Sequence, residues 1–130
     1  MKKGLTAILV AALLIAACIT EFAYVNRTFD GLNAEITVLS AEIDKDSESV
    51  ARPETLLAVN KINDYWNKRK AAVQVMLNHL LLIEYEAKIV RLKSDIELND
   101  RNLAKIDIEQ LRAMTTELKN LYAPRIQNVF

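Results

Sequence analysis

Residues 22–43 read FAYVNRTFDGLNAEITVLSAEI, and in them Phe22, Val25, Phe29, Leu32, Ile36, Leu39 and Ile43 recur at alternating steps of three and four. On a helix such spacing gathers the side chains into one apolar stripe, which must find an apolar partner to leave water. No proline interrupts the chain between this stretch and an earlier one, Leu5 to Thr20, which follows Lys2 and Lys3 and carries no charge before Glu21. The two are expected to form a single rod, apolar all round in its first half and striped in its second. Gly31 is a weak point in that rod rather than a stop.

The first half decides the address. At 1.5 Å per residue, Gly4 to Thr20 rises about 25 Å, slightly short of a hydrocarbon core of about 30 Å. Phe22, Ala23, Tyr24 and Val25 extend the apolar face past Glu21, and Tyr24 suits the headgroup layer. Lys2 and Lys3 hold the short flank in the cytoplasm, which sends the rest outside. The leading reading is a signal anchor in the cell membrane over residues 1–25, with residues 26–130 an extracytoplasmic domain. Second comes lipidation: Ile15-Ala16-Ala17-Cys18 resembles a bacterial lipobox, whose thiol would carry the diacylglycerol. A lipoprotein usually begins with a polar tether, however, and here a periodic helix follows at once. Ordinary cleaved secretion ranks third. Lys3-Gly4 before an apolar helix also resembles a type IV prepilin, but Leu9 stands where that motif has its glutamate, so a pilin-like subunit is a minor alternative.

Composition sets the rest of the frame. The 130 residues hold two glycines and two prolines, too few for the turns that strands require, and the length allows one small domain after the anchor. The class is all-α. Basic and acidic residues balance at 17 each, so nothing steers the chain toward nucleic acid. Cys18 is the single cysteine, and an intramolecular disulfide is excluded.

Beyond Ile43 the run Asp44 to Ser49 loses the stripe, and Pro53 suits the first turn of a new helix. Helix two places Leu56, Val59, Ile62, Trp66, Val73 and Leu77 on one face. Helix three is phased on Leu82, Tyr85, Ile89, Leu92 and Ile96, with Glu84 and Lys88 as an exposed pair. The break in register between Leu77 and Leu82 puts a turn near Asn78-His79; the alternative is one continuous helix of about 45 residues drifting round its axis. The polar cluster Asn99-Asp100-Arg101-Asn102 can end helix three and cap the next. Helix four uses Ile108, Leu111, Met114, Leu118 and Leu121, stops at Pro124, and leaves Val129-Phe130 to tuck against the domain. The expected fold is an N-terminal membrane helix continuing into an antiparallel bundle of about four helices.

Chemistry finds little purchase in this pattern. Nucleophilic catalysis would need His79 beside Cys18, the only histidine and the only thiol, and the address of Cys18 separates them. There is no HExxH, no CxxC and no calcium loop, and two glycines cannot build a phosphate cradle. Glu84 and Glu86 lie two apart on different helix faces. No enzyme activity, cofactor or metal is expected. Trp66, in register with aliphatic residues, reads as a core anchor. His79 reads as a donor to a free carbonyl at the end of helix two, with a pH-responsive partner contact as the other option.

The order and spacing of several features resemble the bacterial family catalogued as domain of unknown function 4363. These are the basic-apolar start, Asn26-Arg27-Thr28, Trp66, Asn78-His79, Arg91-Leu92 and the terminal Asn128-Val129-Phe130. The resemblance covers nearly the whole length and implies short, membrane-anchored helical proteins with no established activity. Where the family tends to be acidic just after the histidine, this chain has Leu80-Leu81-Leu82. The expected role is a non-enzymatic interaction or scaffold module whose partners are the membrane and an envelope protein. A second copy could pack along the Phe22 to Ile43 stripe. The alternative is a small-ligand-binding or sensory lipoprotein anchored at Cys18, with a cavity lined by Trp66, Tyr85 and His79.

Overall fold

A computed structural model describes residues 1–122 as four helices in antiparallel succession: α1 Lys2–Asp44, α2 Pro53–Met76, α3 His79–Glu97 and α4 Arg101–Tyr122. Pro124, Asn128, Val129 and Phe130 lie outside the described residues, and with them the expected stop of helix four and the apolar tail. Each helix packs on two neighbours, α1 and α3 both on α2 and α4, while the diagonal backbones stay apart.

α1 is the one rod that its periodicity predicts, but its halves meet different surroundings. Residues 1–21 are exposed all round, and by length and composition this segment could cross a membrane. From Val25 onward one face turns inward: Phe29, Leu32, Ile36, Leu39 and Ile43 are fully buried against α2 and α4 of the same chain. From Val25 on the stripe is covered by helices of its own chain. A buried apolar row satisfied within its own bundle has no further free energy to gain from a partner.

Three aromatic rings tie the core across the diagonal. Trp66 of α2 meets the edge of Tyr85 of α3 with centroids 5.1 Å apart, and Tyr85 meets Phe29 of α1 at 6.1 Å and 90°. These edge-to-face arrangements set the quadrupole of one ring favourably against the next. The Tyr85 hydroxyl lies 2.8 Å from Thr115 Oγ1 on α4, and Thr115 itself donates to the Leu111 carbonyl at 2.7 Å. Tyr85 is therefore the donor in the pair, and burial pushes its phenol far above the ordinary range.

The turns follow local chemistry. Leu77 leaves the helix in an extended conformation and Asn78 caps α3 by accepting from the Leu80 amide at 2.9 Å, so α2 and α3 are two helices. At the opposite end Asn99 adopts φ 56° after α3. The Asp100 amide bonds back to the Asp95 carbonyl at 2.8 Å and that of Asn99 to Ile96 at 3.0 Å, a Schellman stop. Asp100 Oδ1 then caps α4 by accepting from Leu103 N at 3.0 Å. The Asn99 side chain reaches the α1–α2 loop, where Oδ1 accepts from Val50 N (2.8 Å), Ala51 N (3.1 Å) and Ser49 Oγ (3.2 Å). Arg52 completes the loop by donating to the Glu42 carbonyl near the end of α1.

α4 departs from its sequence reading. Ala104, Asp107 and Thr115 share the buried face with Ile108, Leu111 and Leu118, whereas Leu121 is exposed and Met114 half-buried. Lys88, expected to pair with Glu84 along α3, instead crosses to α4, because its stem lies in the α3–α4 seam where acceptors on the facing helix are closer.

Substitutions at two places test this account in urea titrations of the full chain in detergent, read by the lone tryptophan, Trp66. Asn99→Gly keeps the left-handed backbone and removes three hydrogen bonds, an expected loss of about 1–3 kcal/mol. Asn99→Ala should lose about 1 kcal/mol more through the same backbone angle. The second concerns Gly31, where an added Cβ would collide with the hydroxyl end of Tyr65. Gly31→Ala should stabilise a Tyr65→Ala background by about 0.5–1 kcal/mol, and that gain should disappear or reverse when Tyr65 is present.

Candidate functional site

The strongest concentration of buried polar chemistry lies between α3 and α4. Asp95 follows Leu92 by three residues and precedes Ile96, so the helix turns it inward with the apolar face; Asp107, beside Ile108 and four before Leu111, is carried inward in the same way. Asp95 is 6% exposed and Asp107 1%. Their carboxylates are close enough to interact by charge and, when one is protonated, through a hydrogen bond.

Two cations from α3 face this pair. Lys88 Nζ lies 3.4 Å from Asp107 Oδ1 and donates to Gln110 Oε1 at 2.6 Å. Arg91 Nε lies 3.1 Å from Asp107 Oδ2, an ion pair whose angle falls short of a hydrogen bond, so that oxygen and Asp95 Oδ2 remain without hydrogen-bond partners. The cations reach Asp107 directly, whereas Asp95 sits behind them. Burial pushes the Asp95 carboxyl above its ordinary value, the hydrogen bond and negative charge of Asp107 push it the same way, and Arg91 only partly offsets them. The arrangement can hold a proton between two carboxyl groups and can tie α3 to α4. Among the described residues, no three His, Cys, Asp or Glu side chains gather as a metal would require.

The residues singled out from the sequence do not converge here, Arg91 excepted. Trp66 is fully buried in the aromatic core, while His79 is exposed on the first turn of α3. Trp66 and Tyr85 are fully buried and pack ring against ring, whereas His79 is exposed. His79, expected to donate to a carbonyl at the end of α2, lies instead on the first turn of α3, just after the residue that caps it, Asn78. Cys18 is exposed on the apolar segment of α1, and Asn128 lies outside the described residues. Asp95 and Asp107 went unnoticed because a search for chemistry by sequence spacing compares residues on one helix. Their signal was present all the same: a carboxylate in phase with a buried stripe.

The comparisons can now be set beside this geometry. A family model described as Domain of unknown function (DUF4363) matches residues 19–129. The chain belongs to this family. No curated protein and no solved structure matches it. Within this DUF4363 protein the matched region opens at Ile19, one residue past Cys18, and takes in the striped half of α1 and all of α2 to α4. The features that carried the resemblance have structural roles where they are described. Trp66 fills the core, Asn78 caps α3 and Arg91 pairs with Asp107, while Thr28 is buried, its hydroxyl donating to the Tyr24 carbonyl at 2.9 Å.

The Asp95 carboxyl holds its proton more tightly in the folded chain than in the unfolded one. As pH rises from the ordinary aspartate value through the raised folded value, the unfolded chain loses its proton first and stability falls. Asp95→Asn removes this contribution. Relative to wild type it should gain stability as pH rises above about 4 and through the raised folded value in urea titrations, while the difference stays flat below that window.

Proposed function

We propose that this DUF4363 protein is a non-enzymatic, membrane-anchored module: α1 crosses the cell membrane once and presents the bundle on the extracytoplasmic side to a protein of the envelope. The observation that carries the reading is α1 itself. One unbroken helix is exposed and apolar over residues 4–20 and then forms the spine of a folded bundle. Burial of the first half in lipid is the solution that leaves neither half's apolar surface in water. The rigid join supports presentation at a set height and angle rather than on a loose tether, and Lys2 and Lys3 favour a cytoplasmic N-terminus.

The bundle's surface supports an interaction role over catalysis. Its buried polar groups serve packing, and the carboxylate pair that could move a proton is nearly closed to solvent. The ligand-binding alternative would need an accessible cavity at Trp66, where the rings are in contact.

The test is topological. In membranes from cells expressing the full chain, the protein should resist alkaline extraction, and protease added to intact spheroplasts should digest the bundle. A Cys18→Ser variant should differ from wild type in mass only by the exchange of sulfur for oxygen and should keep its membrane retention. Release at alkaline pH would remove the anchor, protection from protease would reverse the orientation, and a mass change with Cys18→Ser beyond the exchange of sulfur for oxygen would favour the lipoprotein.

A further inference from the structure

A second apolar surface stands at the height where the apolar segment of α1 ends. The core contacts set the register: Trp66 and Tyr85 meet, Tyr85 meets Phe29, and the end of the Tyr65 side chain lies at Gly31. From Trp66 down to Met76 α2 descends ten residues, about 15 Å, and the same descent on α1 runs from Phe29 to Ile19. On α3 the descent from Tyr85 to His79 is six residues, about 9 Å, which on α1 runs from Phe29 to Ala23, so the α2–α3 turn lies level with Ile19 to Ala23, where the apolar segment ends. Phe22 stacks on Tyr122 with centroids 6.2 Å apart, which brings the end of α4 to nearly the same level.

From Ala71 to Ile83 there is no Asp, Glu, Lys or Arg, the longest such run after the N-terminal segment. Val75 is 86% exposed, Leu80 71% and Ile83 49%. The opposite end of the bundle shows what an ordinary solvated turn looks like: Leu98 is 75% exposed there, but Glu97 precedes it and Asp100 and Arg101 follow. Within the turn the amides of Leu77, Leu80 and Leu82 are bonded inside the chain, to Val73 O, Asn78 Oδ1 and Asn78 O. Above it come an exposed tyrosine, Tyr24, and then the Lys70–Glu86 ion pair at 2.7 Å. Apolar, aromatic and charged groups follow one another in the order a bilayer presents acyl chains, interface and headgroups.

We propose that the α2–α3 turn inserts into the face of the lipid bilayer beside α1, with Val75 and Leu80 among the acyl chains just beneath the headgroups. The inference rests on the proposed anchoring of α1 and deepens it: the bundle stands on the membrane at two points, which holds it against tilting about a single helix.

The experiment uses the full chain in a Cys18→Ser background, with single cysteines introduced as Leu14→Cys, Leu80→Cys or Leu98→Cys. Each is labelled with an environment-sensitive fluorophore and reconstituted into phosphatidylglycerol–phosphatidylethanolamine vesicles carrying spin-labelled lipids. The label at position 80 should shift to the blue and be quenched by shallow spin labels about fivefold or more beyond the label at position 98, approaching the label at position 14. If position 14 is quenched while position 80 behaves like position 98, the turn is clear of the membrane and this proposal falls with the anchor intact. If position 14 is not quenched either, the anchoring reading fails and takes the proposal with it. A blue shift at position 80 that ignores spin-labelled lipid and grows with protein density would assign the turn to a second copy and overturn lipid insertion.

Discussion

Continuity of one helix through two surroundings is the constraint on which everything else depends. α1 carries no proline and no break from Lys2 to Asp44, so the direction of its first half is inherited by its second. The apolar row from Val25 to Ile43 then dictates the bundle, because a stripe that long can be covered only by helices running its full length. α2 and α4 flank it and α3 closes the far side. Phe29, Trp66 and Tyr85 lock the helices at mid-height, fixing how far down each of them reaches. The antiparallel register that follows puts the α2–α3 turn level with the end of the apolar segment.

The two ends of the bundle are built on opposite principles. The far end is polar and stitched by hydrogen bonds, with Asn99 serving both as the left-handed stop of α3 and as the acceptor that holds the α1–α2 loop. Among the described residues the near end has few polar contacts and relies on apolar side chains, Phe22 on Tyr122 and a helix turn without Asp, Glu, Lys or Arg. Such polarity along the bundle axis is unnecessary for a domain surrounded by water on all sides. It agrees with a domain seated on an apolar medium, as proposed. The Asp95–Asp107 pair lies in the α3–α4 seam with Arg91 and Lys88. There a charged network specifies the pairing of two helices at some cost in stability.

Helix count, the identity of the spine and the core role of Trp66 could all be read from residue order, because they rest on periodicity along single helices. The break at Asn78 was legible too, since a shift of apolar phase and a capping residue coincide there. Membership of the DUF4363 family likewise follows from the order of residues, and brings an architecture without a stated role. Relations between helices were beyond such a reading. Lys88 could pair with Glu84 on its own helix or with Asp107 across a seam; Leu121 could be inside or outside; the carboxylates of Asp95 and Asp107 could be strangers. Each choice depends on how helices are rotated and slid against one another. That rotation and slide emerge from the packing of the aromatic core, a balance of many contacts that no single helix encodes.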